Sequence, residues 1–128
     1  MRIKTPQTAN TSVNPMSLSE ESFIAVLCTC PDSGTAETLA ETLLQEKVIA
    51  CANLIPALES LYWWEGKIQK DREILLILKT ARKFFNRVEM LIKKKHPYQV
   101  PEIIALPILE GSAPYLSWIS DSLGDSHV

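Results

Sequence analysis

Two prolines interrupt runs that otherwise read as strands: Pro56 inside Ala50 to Trp64, and Pro107 inside Ile103 to Leu109 (IIALPIL). Proline has no N–H to give to a ladder, so both strands are predicted to lie at sheet edges. Two further strand-like runs lack proline. Phe23 to Cys30 (FIAVLCTC), and Ile74 to Leu78 within the run Lys67 to Lys79, are apolar on both parities, as expected of central strands covered on both faces. Between them the period changes. Asp32 is placed to cap a helix in which Ala36, Leu39, Ala40, Leu43 and Leu44 recur every three or four residues. Glu65-Gly66 separates the second and third strands as a hairpin turn. Thr80 is expected to cap a second helix with Phe84, Val88 and Leu91 inward, ended by Pro97. Ser112 opens a short last helix carrying Leu116, Trp118, Ile119 and Leu123.

The order is βαββαβ plus a terminal helix, and strand order 4-1-3-2 puts both proline-bearing strands at edges. That is the α+β, ferredoxin-like arrangement, with two helices on one face of an antiparallel sheet. The third strand has Ile74, Leu76 and Leu78 on one side and Leu75 and Ile77 on the other, so a second subunit is expected to cover the face without helices. Residues 1 to about 20, rich in Thr, Ser, Asn and Pro, are expected to form a disordered tail. The folded domain is expected to span residues 21–124, with 125–128 a frayed C-terminus.

Charge and composition exclude several classes. Lys+Arg 13 against Asp+Glu 15 gives a net charge of −2, without the basic excess of a nucleic-acid binder. The longest charge-free apolar run, Val48 to Leu58, is too short to cross a bilayer. The first twenty residues lack the apolar block of a secretory signal, so a cytoplasmic protein with reduced thiols is expected. The glycines are scattered and form neither a P-loop nor a dinucleotide fingerprint. No nucleophile elbow, zinc-protease helix or C-x-x-C is present, and no pair among Glu59, Glu65, Glu73 and Glu102 is singled out as an acid and base.

The predicted topology brings chemistry to one rim. The end of strand one (Cys28, Cys30), the hairpin tip (Trp63 to Gly66) and the segment His96 to Glu102 should all arrive there. Cys28 and Cys30 are two apart on a strand and share a face, and their sulfurs favour Cu(I) and other soft ions. His96 could add a nitrogen. Each has an ordinary reading as well: cysteine is a small core hydrophobe, for Cys51 most of all, and His96 with Lys93, Lys94 and Lys95 complements a helix C-terminus. Trp63 and Trp64 suit either a ligand pocket or packing against a neighbouring subunit.

The segments LCTCPD (27–32), ACANLIP (50–56), SLYWWEGK (60–67), LILKT (76–80), HPYQVPE (96–102) and YLSWI (115–119) together resemble the CutA divalent-cation tolerance family over about residues 22 to 123. The resemblance implies a homotrimer of ferredoxin-like subunits, similar in architecture to the PII signalling proteins, cytoplasmic in bacteria and linked to copper tolerance. It also implies copper ligands: a cysteine in the first strand, matched by Cys28, and two histidines before Pro-Tyr, of which the second is matched by His96. Lys95 stands in place of the first and cannot ligate while protonated. Cys30, where many relatives have a small residue, is a candidate replacement ligand by proximity. The expectation is a trimeric protein that binds copper or another divalent metal ion and is not an enzyme. The alternative is a PII-like signalling module holding a small effector in an intersubunit cleft lined by Trp63, Trp64, Lys67, Tyr98 and Glu102. A third reading is an enzyme using the carboxylates of that cleft. Neither a nucleic acid nor a membrane is expected as partner.

Overall fold

In this computed structural model, residues 19–124 are described. The expected disordered tail and frayed C-terminus lie outside these residues, save Ser19 and Glu20. Glu20 accepts the backbone N–H of Lys83 at 3.0 Å, and Ser22 that of Arg82 at 2.7 Å.

The elements are β1 (Phe23–Cys30), α1 (Ser33–Gln45), β2 (Cys51–Trp64), β3 (Lys67–Ala81), α2 (Phe85–Lys95), β4 (Ile104–Pro107) and α3 (Ala113–Ser122). The sheet order is β2-β3-β1-β4 with every neighbouring pair antiparallel, the predicted 4-1-3-2 read from the other edge. Both proline-bearing strands occupy the edges. Pro56 falls at a bulge between Ile55 and Leu58, where β2 carries one residue more than β3 and Ala57 takes a φ of 61°.

Alternation sorts the central strands into two faces. Ile24, Val26, Cys28 and Cys30 stand opposite Thr80, Leu78, Leu76 and Ile74, and all eight are buried. Against them pack Ala36, Leu39, Ala40 and Leu43 of α1 and Val88 and Ile92 of α2. This is the main core. The opposite face carries Leu27, Leu75 and Ile77, only partly buried, flanked by Ile55, Ile104 and Leu106, which are 42%, 49% and 48% exposed. α3 covers one end of that face, where Ile119 and Leu123 pack with Ala50, Ala81 and Phe23. No helix among the described residues is long and apolar enough to cross a membrane.

Asp32 caps α1 as predicted, accepting the Thr35 N–H at 2.8 Å, and Ser112 caps α3. Thr80 does not cap α2. It remains in β3, fully buried, and a 3₁₀ turn over Arg82–Phe84 intervenes before the helix starts at Phe85 without a side-chain cap. On α2 the buried positions are Val88 and Ile92, while Phe84 and Leu91 are half-buried. β4 is shorter than the run Ile103 to Leu109, because its ladder with β1 covers only Ile104 to Pro107.

β1 ends at the Cys30–Ile74 rung, but β2 and β3 continue as a two-stranded arm from Leu58–Glu73 to Trp64–Lys67. Glu65 and Gly66, at φ 51° and 78°, close it with two left-handed residues, which suits the strand twist and for which glycine carries no Cβ penalty. At about 3.3 Å per residue the arm reaches roughly 23 Å past the last rung of β1.

Candidate metal centre

Period-two alternation on β1 aims Cys28 and Cys30 to the helix-covered face, where both are fully buried. The third member comes from the end of α2. Pro97 pushes the preceding residue out of the helical region, and His96 accordingly closes the helix at ψ 139°, its N–H still bonded to the Ile92 carbonyl at 2.8 Å. The turn carries the His96 ring to the end of β1, leaving the residue 7% exposed. One donor atom from each of Cys28, Cys30 and His96 lies within 4.8 Å of the others. These are the residues the sequence nominated as ligands. Lys95 is exposed on the last turn of α2 and is not a member of this group.

The thiols are electrostatically unequal. Cys28 is pushed well above the ordinary thiol range, first by sharing its proton with Cys30, then by burial and by the negative charges of Cys30, Glu102 and Glu73. The same hydrogen bond lowers Cys30. The Cys28 sulfur also lies 3.8 Å from the Thr29 carbonyl oxygen.

Both nitrogens of His96 are engaged. The Tyr98 backbone N–H donates to Nδ1 at 3.1 Å, so the proton of the neutral ring sits on Nε2, which is 2.8 Å from the Thr29 carbonyl oxygen. Tyr98 packs against the imidazole, with ring centroids 4.7 Å apart, and its hydroxyl donates to the Glu73 carboxylate at 2.8 Å. Burial first, and then Glu73, hold the Tyr98 phenol well above its ordinary pKa. Glu73 is itself only 6% exposed. Farther out along the arm the Tyr62 hydroxyl donates to Asp71.

The five predicted cleft residues are not together within one protomer. Tyr98 adjoins His96, and the charge of exposed Glu102 acts on Cys28. Trp63, Trp64 and Lys67 are exposed at the tip of the arm, so the expectation that the hairpin tip shares the rim of Cys28 is corrected by the arm's length. Sequence reasoning did not select Glu73 or the Thr29 carbonyl. Parity aligns Glu73 with Leu75 and Ile77, on the face opposite the thiols, so the sequence carried no signal for its bond to Tyr98, and a backbone carbonyl carries none either.

Residues 24–122 match the family model for the CutA1 divalent ion tolerance protein. The chain is 46% identical over 105 residues to the divalent-cation tolerance protein CutA of Escherichia coli, covering 82% of this chain and 94% of that one. Among solved structures it resembles CutA1 from Oryza sativa, with a TM-score of 0.80, 43% identity, and coverage of 82% of this chain and 96% of that one. It also resembles the periplasmic divalent cation tolerance protein CutA from Archaeoglobus fulgidus, with a TM-score of 0.76, 37% identity, and coverage of 78% and 97%. The periplasmic relative overturns the expectation of a cytoplasmic protein, which rested on the composition of the first twenty residues and on the resemblance. A family match over residues 24–122, 46% identity across most of the chain and a shared fold together make the chain a member of the CutA1 divalent ion tolerance family.

Proposed function

We propose that the chain assembles as a homotrimer, binds copper as Cu(I) through Cys28, Cys30 and His96, and by binding rather than turnover contributes to metal tolerance. The observation that carries this reading is the convergence of two buried thiols and a buried imidazole within 4.8 Å. Thiolates are soft ligands and select Cu(I) over magnesium or calcium, and three protein donors differ from the closed four-ligand set of structural zinc. The negative charges that raise the Cys28 thiol also favour a cation beside it. Trimer formation is supported by the apolar sheet face and by the arm, whose Leu61, Trp63, Trp64 and Ile68 are 65%, 72%, 57% and 62% exposed.

The test is competition for Cu(I) against a chelator at several pH values. Cys28→Ser and Cys30→Ser should each weaken binding at least tenfold, roughly the loss of one soft ligand. Affinity should also fall by about tenfold or more per pH unit on acidification, because at least the Cys28 proton must leave before the sulfur ligates. Parent-like affinity in Cys28→Ser would reject the site.

The second reading, a small effector in an intersubunit cleft, is supported by one feature: the arm carries Trp63, Trp64 and Lys67 roughly 23 Å beyond the last rung of β1, far enough to meet another subunit rather than their own protomer's Tyr98 and Glu102. A metabolite thermal-shift screen tests it, with stabilisation lost in Trp63→Ala as the expected result.

A further inference from the structure

His96 has no free lone pair. Its Nδ1 accepts from the Tyr98 N–H, and its Nε2–H faces the Thr29 carbonyl oxygen. A neutral imidazole can ligate through Nδ1, which displaces the Tyr98 N–H outright. It can also ligate through Nε2, but the ring proton must then sit on Nδ1, where it confronts the Tyr98 N–H, donor against donor. Both routes require the Tyr98 N–H to withdraw. The Thr29 bond differs, since the Nδ1 route retains it as the outer-shell contact that ligating histidines ordinarily make to a carbonyl.

What holds that N–H in place is the Tyr98 side chain. Its hydroxyl is bonded to the buried Glu73 carboxylate at 2.8 Å, and its ring lies 4.7 Å from the imidazole at an interplanar angle of 52°. Glu73 is anchored in turn: it sits on β3 next to the last rung with β1 and opposite Leu58, where β2 leaves its bulge. We infer that Tyr98, anchored on Glu73, is a positioning residue that latches His96 away from the metal, so that the two thiols take the ion first and the imidazole joins only when the latch opens. This inference rests on the proposed reading that Cys28, Cys30 and His96 hold copper.

Two measurements on the full chain test it. In the metal-free, ¹⁵N-labelled protein, two-bond ¹H–¹⁵N correlation should show His96 as the Nε2–H tautomer, and Tyr98→Phe should shift it toward a mixture. In chelator competition for Cu(I), Tyr98→Phe should bind roughly five- to tenfold tighter than the parent, the equivalent of one hydrogen bond no longer broken on binding. Tyr98→Phe is preferred to a Glu73 substitution because it removes no charge from beside the cation. In a His96→Ala background the same change should have no effect.

A parent His96 with its proton on Nδ1, or divided between the nitrogens, overturns the latch without any variant having to fold. So does unchanged affinity in Tyr98→Phe where His96→Ala weakens binding; the copper reading then stands and only the latch fails. If His96→Ala binds copper as tightly as the parent, His96 is not a ligand, and the latch falls with that reading.

Discussion

The Thr80 hydroxyl donates to the Val48 carbonyl oxygen at 2.7 Å, with Thr80 fully buried and Val48 1% exposed. The bond ties the end of β3 to the segment between α1 and β2. Thr80→Val keeps the shape of the side chain and leaves the carbonyl without this partner in a dry site, at an expected cost of about 1–3 kcal/mol. Urea unfolding should show a lower midpoint with an unchanged slope.

The same residue marks where the sequence could and could not be read. A threonine after a strand and before a helical period is a local capping signature, yet its partner lies thirty-two positions earlier in the chain, and tertiary context overrode the local preference. Pro56 and Pro107 were decisive because a missing N–H excludes a central position whatever surrounds it. Asp32 was legible because its partner, Thr35, is three residues away. For the site, alternation placed Cys28 and Cys30 on one face, and the topology brought His96 to them. Neither period nor topology says which atoms a ring will bond. The tautomer of His96 and its dependence on Tyr98 and Glu73 therefore appear only in the structure. The arm is intermediate: β2 and β3 are visibly longer than β1 in the sequence, but only the rung at Cys30–Ile74 shows how far they overhang it.

Lys47 follows α1 with φ 59°, its N–H bonded to the Leu44 carbonyl and its own carbonyl accepting from Gly124. This is the left-handed position that glycine ordinarily fills at a helix end. Lys47→Gly removes the Cβ penalty while keeping both backbone bonds. It should stabilise the protein by about 0.5–1 kcal/mol, read as a raised melting temperature.

The Asp32 carboxyl is held below its ordinary pKa of 3.8, first by the Thr35 backbone N–H. A depressed folded-state pKa contributes stability above the unfolded value and loses it as pH falls through the folded one. Asp32→Asn keeps an oxygen for the cap but removes the charge. The parent should melt higher than the variant at pH 7, and the gap should close as the pH drops below about 4. A gap that persists at pH 2 would show that the charge is not its source.

The proposed trimer depends on the sheet face that carries no helix. Ile77 stands between Leu27 on β1 and Asn53 on β2, and Leu27 in turn faces Ile104 on the edge strand β4. Leu27, Ile77 and Ile104 lie outside the apolar cluster that α3 buries. A carboxylate introduced at the centre of this patch would be buried without a partner in an assembly, but would stay in water on a monomer. Ile77→Glu should therefore dissociate the assembly while leaving the α1 and α2 core, on the opposite face, intact. Light scattering should report about three chain masses for the parent at micromolar concentration and about one for Ile77→Glu, with the helical circular dichroism signal retained. A parent that scatters as a single chain at that concentration would remove the assembly from the proposed function, and with it the cleft that brings the arm's tryptophans to a neighbour's Tyr98.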